Sequence, residues 1–371
     1  MASPHKLSGA LTAWVEDLDP GYFSLVMATG IVSIGAHLFH RQVVSVATMW
    51  VTGAGFFVLG AAYVSRALLY PGAVRRSFHT PAKAMAYFTL VAGTNVAATR
   101  ALMAGWPEVG AVLAALGLLL WAGFSYGLPW SLMVGRRRPH LGDINGTWLI
   151  WVVATQSVAV VAGELVVGSP WAAFHRTEAV VAVLFWSVGV MLYLVLIVII
   201  FLRLFLVELT PEEMGPPYWI AMGATAISVK AAAGILAIRS GVDTSLLAGV
   251  RPAVVGASVM LWAFGTWWIP MLVLFGVWRH LLRHFPLRYE PRLWSVVFPL
   301  GMYTVASAGL GAVPGLGFMG SIAGAWLWVG VAAWVGAAVL MVGAALSPAF
   351  RSGGGVGVAP QPGSAAGARG R

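Results

Sequence analysis

AMGATAISVKAAAGILAI, residues 221–238, is apolar and rich in small residues, with a single charge, Lys230, inside it. As a helix the stretch rises about 27 Å, close to the roughly 30 Å hydrocarbon core of a bilayer. It reads as a membrane-spanning helix that holds an ammonium at depth. Such a charge is costly unless it faces protein or a water-filled cavity, and it needs a partner. A bound anion or Glu164, on another apolar run, can serve. The competing reading has Lys230 snorkelling outward, with Arg100 and Glu164 marking the membrane interface.

The rest of the chain suits the same solvent. Of its 371 residues 60% are hydrophobic and 9% charged, with a mean hydropathy of +0.86; soluble domains carry about 25% charged residues. An integral membrane protein follows. The absence of cysteine excludes disulfides, iron–sulfur clusters and thiolate metal sites. A net charge of +10 would suit nucleic acid, but the basic residues lie in short loops between apolar runs, so the lipid bilayer is the expected partner and nucleic acid is not.

A span needs about 20 mostly apolar residues. That length predicts ten spans, near 20–38, 45–69, 82–104, 108–130, 146–167, 179–204, 217–238, 253–278, 291–310 and 322–346. Their regular spacing suggests five repeated helical hairpins. Residues 1–19 lack the features of a secretory signal and are expected to remain as a cytoplasmic N-terminal segment. Residues 20–346 form the transmembrane domain, and the Gly/Pro/Ser-rich 347–371 is expected to be a disordered cytoplasmic tail. Lys6, Arg75, Arg76, Arg136, Arg137, Arg138, Arg203, Arg279, Arg283, Arg288, Arg292 and Arg351 gather on one side, against Arg41, Arg176, Arg239 and Arg251 on the other. The positive-inside rule therefore places both termini in the cytoplasm of a cell whose inner (plasma) membrane holds the chain.

Odd and even spans differ in chemistry. Thr29, Thr94, Asn95, Gln156, Ser228 and Thr304 lie inside odd spans, together with Thr99, Thr155, Ser157, Thr225 and Ser307. Even spans hold few polar residues, among them Thr48, Ser125 and Thr266. Polar groups at membrane depth face protein or water, so odd helices are expected around a central aqueous path and even helices against lipid. Arg100, Glu164 and Lys230 all fall in the outer halves of odd spans, where the two cations would concentrate anions. Pro299, beside Phe298, removes a backbone hydrogen bond inside the ninth span and predicts a kink.

Three stretches, DPGYFSLVMATGIVSIG at 19–35, NGTWLIWVVATQSVAVV at 145–161 and RLWSVVFPLGMYTVASAG at 292–309, resemble the tellurite-resistance/C4-dicarboxylate transporter family. That family includes a bacterial tellurite-resistance protein, yeast malate and sulfite permeases and the slow anion channels of plant guard cells. The resemblance implies an all-α membrane protein of ten helices, arranged as five hairpins in a quasi-five-fold ring with odd helices lining a central pore. It implies homotrimers, each subunit with its own pore, and a phenylalanine in the ninth helix that occludes the path, here Phe298 beside Pro299. It implies no enzyme activity and no cofactor, with malate and other C4-dicarboxylates as leading substrates; a passive inorganic-anion channel or a sulfite- or tellurite-related efflux protein is the alternative. Two departures stand out. Among the odd spans only the ninth carries a mid-span proline, and Glu164 does not suit a simple anion pore unless it is paired or coupled to protons.

Other motifs carry less. GFSYG at 123–127 matches a serine-hydrolase pattern, but the histidines all lie in loops or near span ends. GLGFMG at 315–320 has no preceding strand. His280 and His284 stand four apart, interleaved with Arg279 and Arg283, and read as an interfacial anchor rather than a metal site. The acidic loop ELTPEEMGPP, 208–217, is expected on the surface, with Glu212 and Glu213 able to pair with basic neighbours.

Overall fold

Long apolar runs separated by short polar turns fold here into long helices joined as hairpins. The computed structural model describes residues 12–135, 138–238 and 245–347. Lys6, Arg136, Arg137, Arg239, Arg351, most of the 1–19 segment and nearly all of the 347–371 tail lie outside the described residues. The long helices are α1 (Ser24–Leu38), α2 (Gln42–Leu69), α3 (Phe88–Met103), α4 (Pro107–Val134) and α5 (Ile150–Gly168). They continue with α6 (His175–Leu206), α7 (Ile220–Ala237), α8 (Ser245–Val277), α9 (Trp294–Leu310) and α10 (Phe318–Leu346). No strand occurs among the described residues.

Nine of these helices, with their leading turns, are long and apolar enough to cross a membrane among the described residues, and the chain is a multi-pass membrane protein. The exception is α3. The span expected over 82–104 is split into a short helix, Pro81–Ala86, and the 16-residue α3, with Tyr87 between them. The reason is length: the break at Tyr87 leaves α3 too short to span by itself, and α3 is buried by its neighbours.

Four odd helices begin in a tight 3-10 turn: Pro20–Phe23, Gly146–Leu149, Pro216–Trp219 and Pro291–Leu293. Proline suits these starts because its missing N–H is an orphan donor there anyway. The Asp19 carboxylate accepts the Gly21 N–H at 2.7 Å, and the Asn145 amide oxygen accepts the Thr147 N–H at 2.9 Å, so two more orphan donors are met. At the other end of α3, Gly105 has φ +80°, a conformation glycine adopts without a Cβ penalty, and turns the chain into α4.

α1 packs on α3, α3 on α5, α5 on α7, α7 on α9, and α9 returns to α1. Each even helix packs on the odd helix before it. The result is a sharp burial contrast. In α1, α5, α7 and α9, 78% of the apolar span is buried, against 11% to 39% in the even helices. Glycine makes the close approach within every hairpin. Gly55 meets Leu25 and Val26, Gly117 meets Asn95, Gly189 meets Gln156, Gly265 meets Thr225, and Gly330 meets Gly301. Without lipid-driven attraction between helices, such small-residue contacts supply van der Waals packing.

Candidate functional site

The five odd helices enter the bundle in the same register. Ala28, Ala92, Ala154, Ala224 and Phe298 are each the fifth residue of α1, α3, α5, α7 and α9, and all five are fully buried. Each precedes by three or four residues a residue that lines a central cavity: Ile31, Asn95, Ser157, Ile227 and Met302. Residues at that spacing share a helix face. Phe298 thus holds in α9 the position that alanines hold in the other four odd helices, about one turn before the cavity lining. Pro299 turns to the adjacent helix, where its ring lies so close to Gly223 that a Cβ there would come within 2.7 Å.

The cavity measures about 10 Å³, the threshold for a single water. All of its lining comes from the odd helices: Ile31 and Ile34 from α1, Asn95, Val96 and Thr99 from α3, Ser157 and Val160 from α5. Ile227 and Lys230 come from α7, and Met302 and Val305 from α9. Asn95 Nδ2 donates to Ser157 Oγ at 2.9 Å, while the Thr99 hydroxyl has no hydrogen-bond partner among the described residues. Lys230 Nζ donates to Glu164 Oε1 at 2.7 Å. Glu164 follows Ser157 by seven residues and Val160 by four, so it continues the same face of α5 beyond the cavity. The carboxylate is the partner the lysine takes in this structure.

Arg100 is buried nearby but faces elsewhere. Its Nε donates to Ser33 Oγ at 2.9 Å and its Nη2 to Ser45 Oγ at 3.2 Å, between α1 and α2. Both partners are hydroxyls, and Nη1 has no partner among the described residues. Its charge is thus solvated by neutral groups, which leaves a net positive charge in that half of the bundle.

Of the other residues expected to line the path, several turn outward to the seams between hairpins. Thr29 accepts a hydrogen bond from Trp334 Nε1 of α10 at 3.0 Å. Gln156 Nε2 donates to the Trp186 carbonyl of α6 at 3.1 Å. The Ser228 hydroxyl donates to the Ala224 carbonyl at 2.7 Å, and its own carbonyl accepts Trp186 Nε1 at 3.1 Å. Thr304 donates to Leu300 in its own helix and packs on Gly35, and Thr94 is buried without lining the cavity. The structure therefore brings Asn95 and Lys230 to the cavity, with Glu164 bonded to Lys230, and Phe298 is fully buried one turn before the cavity-lining Met302.

A recurring bond that no sequence repeat announces accounts for these outward-facing groups. Trp121 of α4 donates to Thr155 of α5 at 2.9 Å, and Trp262 of α8 to Ser307 of α9 at 2.8 Å. With Trp186 to Ser228 and Trp334 to Thr29, four even helices each fasten the odd helix of the next hairpin. At the remaining seam, α2 supplies Ser45 to Arg100 of α3. The available signal was the placement of tryptophans midway along even spans, where an exposed indole N–H would lack a partner in lipid.

The remaining motifs are structural. Ser125 of GFSYG accepts the Trp151 indole N–H at 2.7 Å. His280 Nδ1 lies 2.8 Å from the Phe285 carbonyl, and Glu213 of the acidic loop pairs with the buried Arg203 at 2.9 Å.

The family model of the voltage-dependent anion channels (SLAC1) matches residues 17–342. The chain belongs to the voltage-dependent anion channel family. This is the family to which the tellurite-resistance and dicarboxylate resemblance pointed. Among similar proteins, an uncharacterized membrane protein of Mycobacterium tuberculosis is 48% identical over 132 residues, which are 36% of this chain and 66% of the relative, so the chain spans just under two thirds of that protein's length. Two uncharacterized transporters of Methanocaldococcus jannaschii are similar over more of the chain. One is 25% identical over 302 residues, covering 79% of this chain and 83% of its own, and the other 23% over 308 residues, covering 80% and 86%.

Proposed function

We propose that this chain carries small anions across the membrane through the centre of a ring of five hairpins, ten helices in all, with the odd helices lining the path. The observation that carries the reading is the central cavity, whose lining comes wholly from the five odd helices and includes Lys230, Asn95, Thr99 and Ser157. The Lys230 ammonium, the Asn95 amide and the unpartnered Thr99 hydroxyl are the groups at this lining able to replace water around an anion, the Ser157 hydroxyl being already bonded to Ala154 and Asn95. A single cation holds the anion weakly enough for release. Arg100, bonded to hydroxyls alone, adds a positive potential. Membership of an anion-channel family and transporter-named relatives support the same reading.

Phe298 is the gate in this reading. Four alanines at the same register leave the aromatic ring as the bulky member of its layer, and the neighbouring Pro299 frees backbone for adjustment. Positive-inside counting puts this layer on the cytoplasmic half, Glu164 and Lys230 on the external half, and both termini in the cytoplasm of a plasma-membrane protein. The protein works as a homotrimer in which each subunit has its own path, as the family resemblance implies, and without a cofactor. Malate and related C4-dicarboxylates are the substrates that resemblance favours. A second reading, small inorganic anions, draws on the single cation at the cavity and its 10 Å³ volume.

The test is reconstitution in liposomes, with malate, sulfite, chloride and nitrate flux compared between wild type and Phe298→Ala. The expected result is selective anion flux that rises about tenfold or more in the variant, equivalent to removing about 1.4 kcal/mol or more of barrier. Wild-type flux that Phe298→Ala leaves unaltered refutes the gate; absence of flux for all four anions in both proteins refutes anion transport.

A further inference from the structure

We propose that Arg203, in the last turn of α6, is a binding site for a phosphate group, with the Glu213 carboxylate as its resident stand-in. The site is separate from the central cavity, to whose lining Arg203 does not contribute.

Arg66 and Arg203 end even helices in the same way, and their difference shows what the second one lacks. Both lie in the last turn, of α2 and of α6, and both are buried, at 4% and 1% exposure. A tyrosine stands just ahead of the next odd helix in each case, Tyr87 before α3 and Tyr218 before α7. Arg66 bonds through all its nitrogens: Nε donates to the Glu16 carbonyl at 3.0 Å, Nη1 to the Tyr87 hydroxyl at 2.8 Å and Nη2 to Ser77 Oγ at 3.0 Å. Arg203 donates from Nη2 to Glu213 Oε2 at 2.9 Å, while its Nε and Nη1 have no partner among the described residues. Nor does the hydroxyl of the buried Tyr218. A buried guanidinium short of acceptors is costly, and here the protein does not supply the acceptors that it supplies to Arg66.

A tetrahedral oxyanion would supply them. Glu213 offers one oxygen to one nitrogen, from a side chain that is 47% exposed. Met214 beside it is buried and holds the loop, so exchange needs only rotation of the Glu213 side chain. Phosphate presents oxygens in several directions and suits the fixed fork of a guanidinium. The charges of Arg203 and Glu213 both act on the Tyr218 phenol, which sets a neutral O–H donor in the same neighbourhood. A second buried cation borders the loop: Arg279 Nη1 lies 3.6 Å from the place of a Cβ on Gly215, with Glu290 at 3.7 Å from its Nη2. The exposed Glu208 and Glu212 oppose an anion from the solvent side, so affinity depends on direct bonds to Arg203.

Isothermal titration of inorganic phosphate into the protein in neutral detergent gives the test, with chloride at matched ionic strength as control. Wild type should bind phosphate more tightly than chloride. Glu213→Ala should bind phosphate about tenfold more tightly still, the gain expected if the carboxylate fills the site about nine-tenths of the time. A purely structural Arg203–Glu213 pair gives no such gain. Arg203→Gln should lose the binding; if that variant does not fold, wild type against Glu213→Ala decides. Titration in nanodiscs separates the sources of the phosphate group. Competition by an anionic phospholipid, beyond that of oleate at equal charge, assigns the site to a lipid headgroup, and its absence to a soluble phosphate. No phosphate binding in wild type and Glu213→Ala, or no gain in Glu213→Ala, overturns the site. Binding that Lys230→Met abolishes and Arg203→Gln retains belongs to the central cavity and overturns it as well.

Discussion

Thr155 and Ser157 stand two residues apart on α5, and their hydroxyls serve opposite sides of the helix. Thr155 accepts the indole N–H of Trp121 on the outer α4, whereas Ser157 accepts from Asn95 across the interior and lines the cavity. The same division runs around the bundle. The hydroxyls of Thr29 and Ser307 and the backbone carbonyl of Ser228 hold outer-helix tryptophans, and Thr99 and Lys230 line the cavity. Polar content marks α1, α5, α7 and α9 as inner helices, but only direction separates a seam from a path. A hydroxyl in a seam satisfies a donor that lipid cannot; at the centre, the Thr99 hydroxyl has no partner among the described residues and is available to something that passes.

The largest effect should come from moving the aromatic within its layer. If Phe298 and Ala224 occupy equivalent places, Phe298→Ala raises anion flux and adding Ala224→Phe restores the wild-type rate, the block now arising from α7 instead of α9. Flux assays on the two variants read this directly. A double variant that folds and stays as open as Phe298→Ala breaks the equivalence of the five registers.

A middle-sized effect belongs to the hairpin contacts. A side chain at Gly265 would collide with Thr225, and one at Gly189 with Gln156. Gly265→Val should lower stability by about 1–3 kcal/mol through overpacking, measured as a fall in the melting temperature of the purified protein. Gly53 has nothing near its missing Cβ, and Gly53→Ala should leave that temperature close to wild type. Equal losses at the two sites would mean that these glycines do not set the spacing between inner and outer helices.

The spans were legible because lipid demands length and apolarity together, and nine of ten expected spans meet that demand. Lys230 and Glu164 were legible as charges at membrane depth, but their choice of each other over a bound anion was not, since it depends on how α5 and α7 face. The rotation of the odd helices is what the sequence conceals. α1, α5, α7 and α9 are buried nearly all round, so no apolar stripe distinguishes an inward face from an outward one. Thr29, Gln156 and Ser228 were therefore read as lining by their depth alone. The register of Ala28, Ala92, Ala154 and Ala224 with Phe298 needed the helix starts, which the short turns at Pro20, Gly146, Pro216 and Pro291 define.

The smallest effects distinguish the two hydroxyls of α5. Thr155→Val strands the Trp121 indole N–H at a seam, and Ser157→Ala strands Asn95 Nδ2 beside the cavity. Each also gives up the hydroxyl's own bond to a carbonyl of α5, Thr155 to Trp151 and Ser157 to Ala154. Each therefore loses two hydrogen bonds, worth about 0.5–1.5 kcal/mol apiece and on average about 0.6 between membrane helices, and their melting temperatures should fall by similar amounts. Their transport should differ. Ser157→Ala removes an acceptor and a hydroxyl from the wall of the path and should change the ratio of nitrate to chloride flux, whereas Thr155→Val should keep that ratio. Equal changes in the ratio from both variants would show that the seam and the centre are one polar network, and that side-chain direction does not separate them.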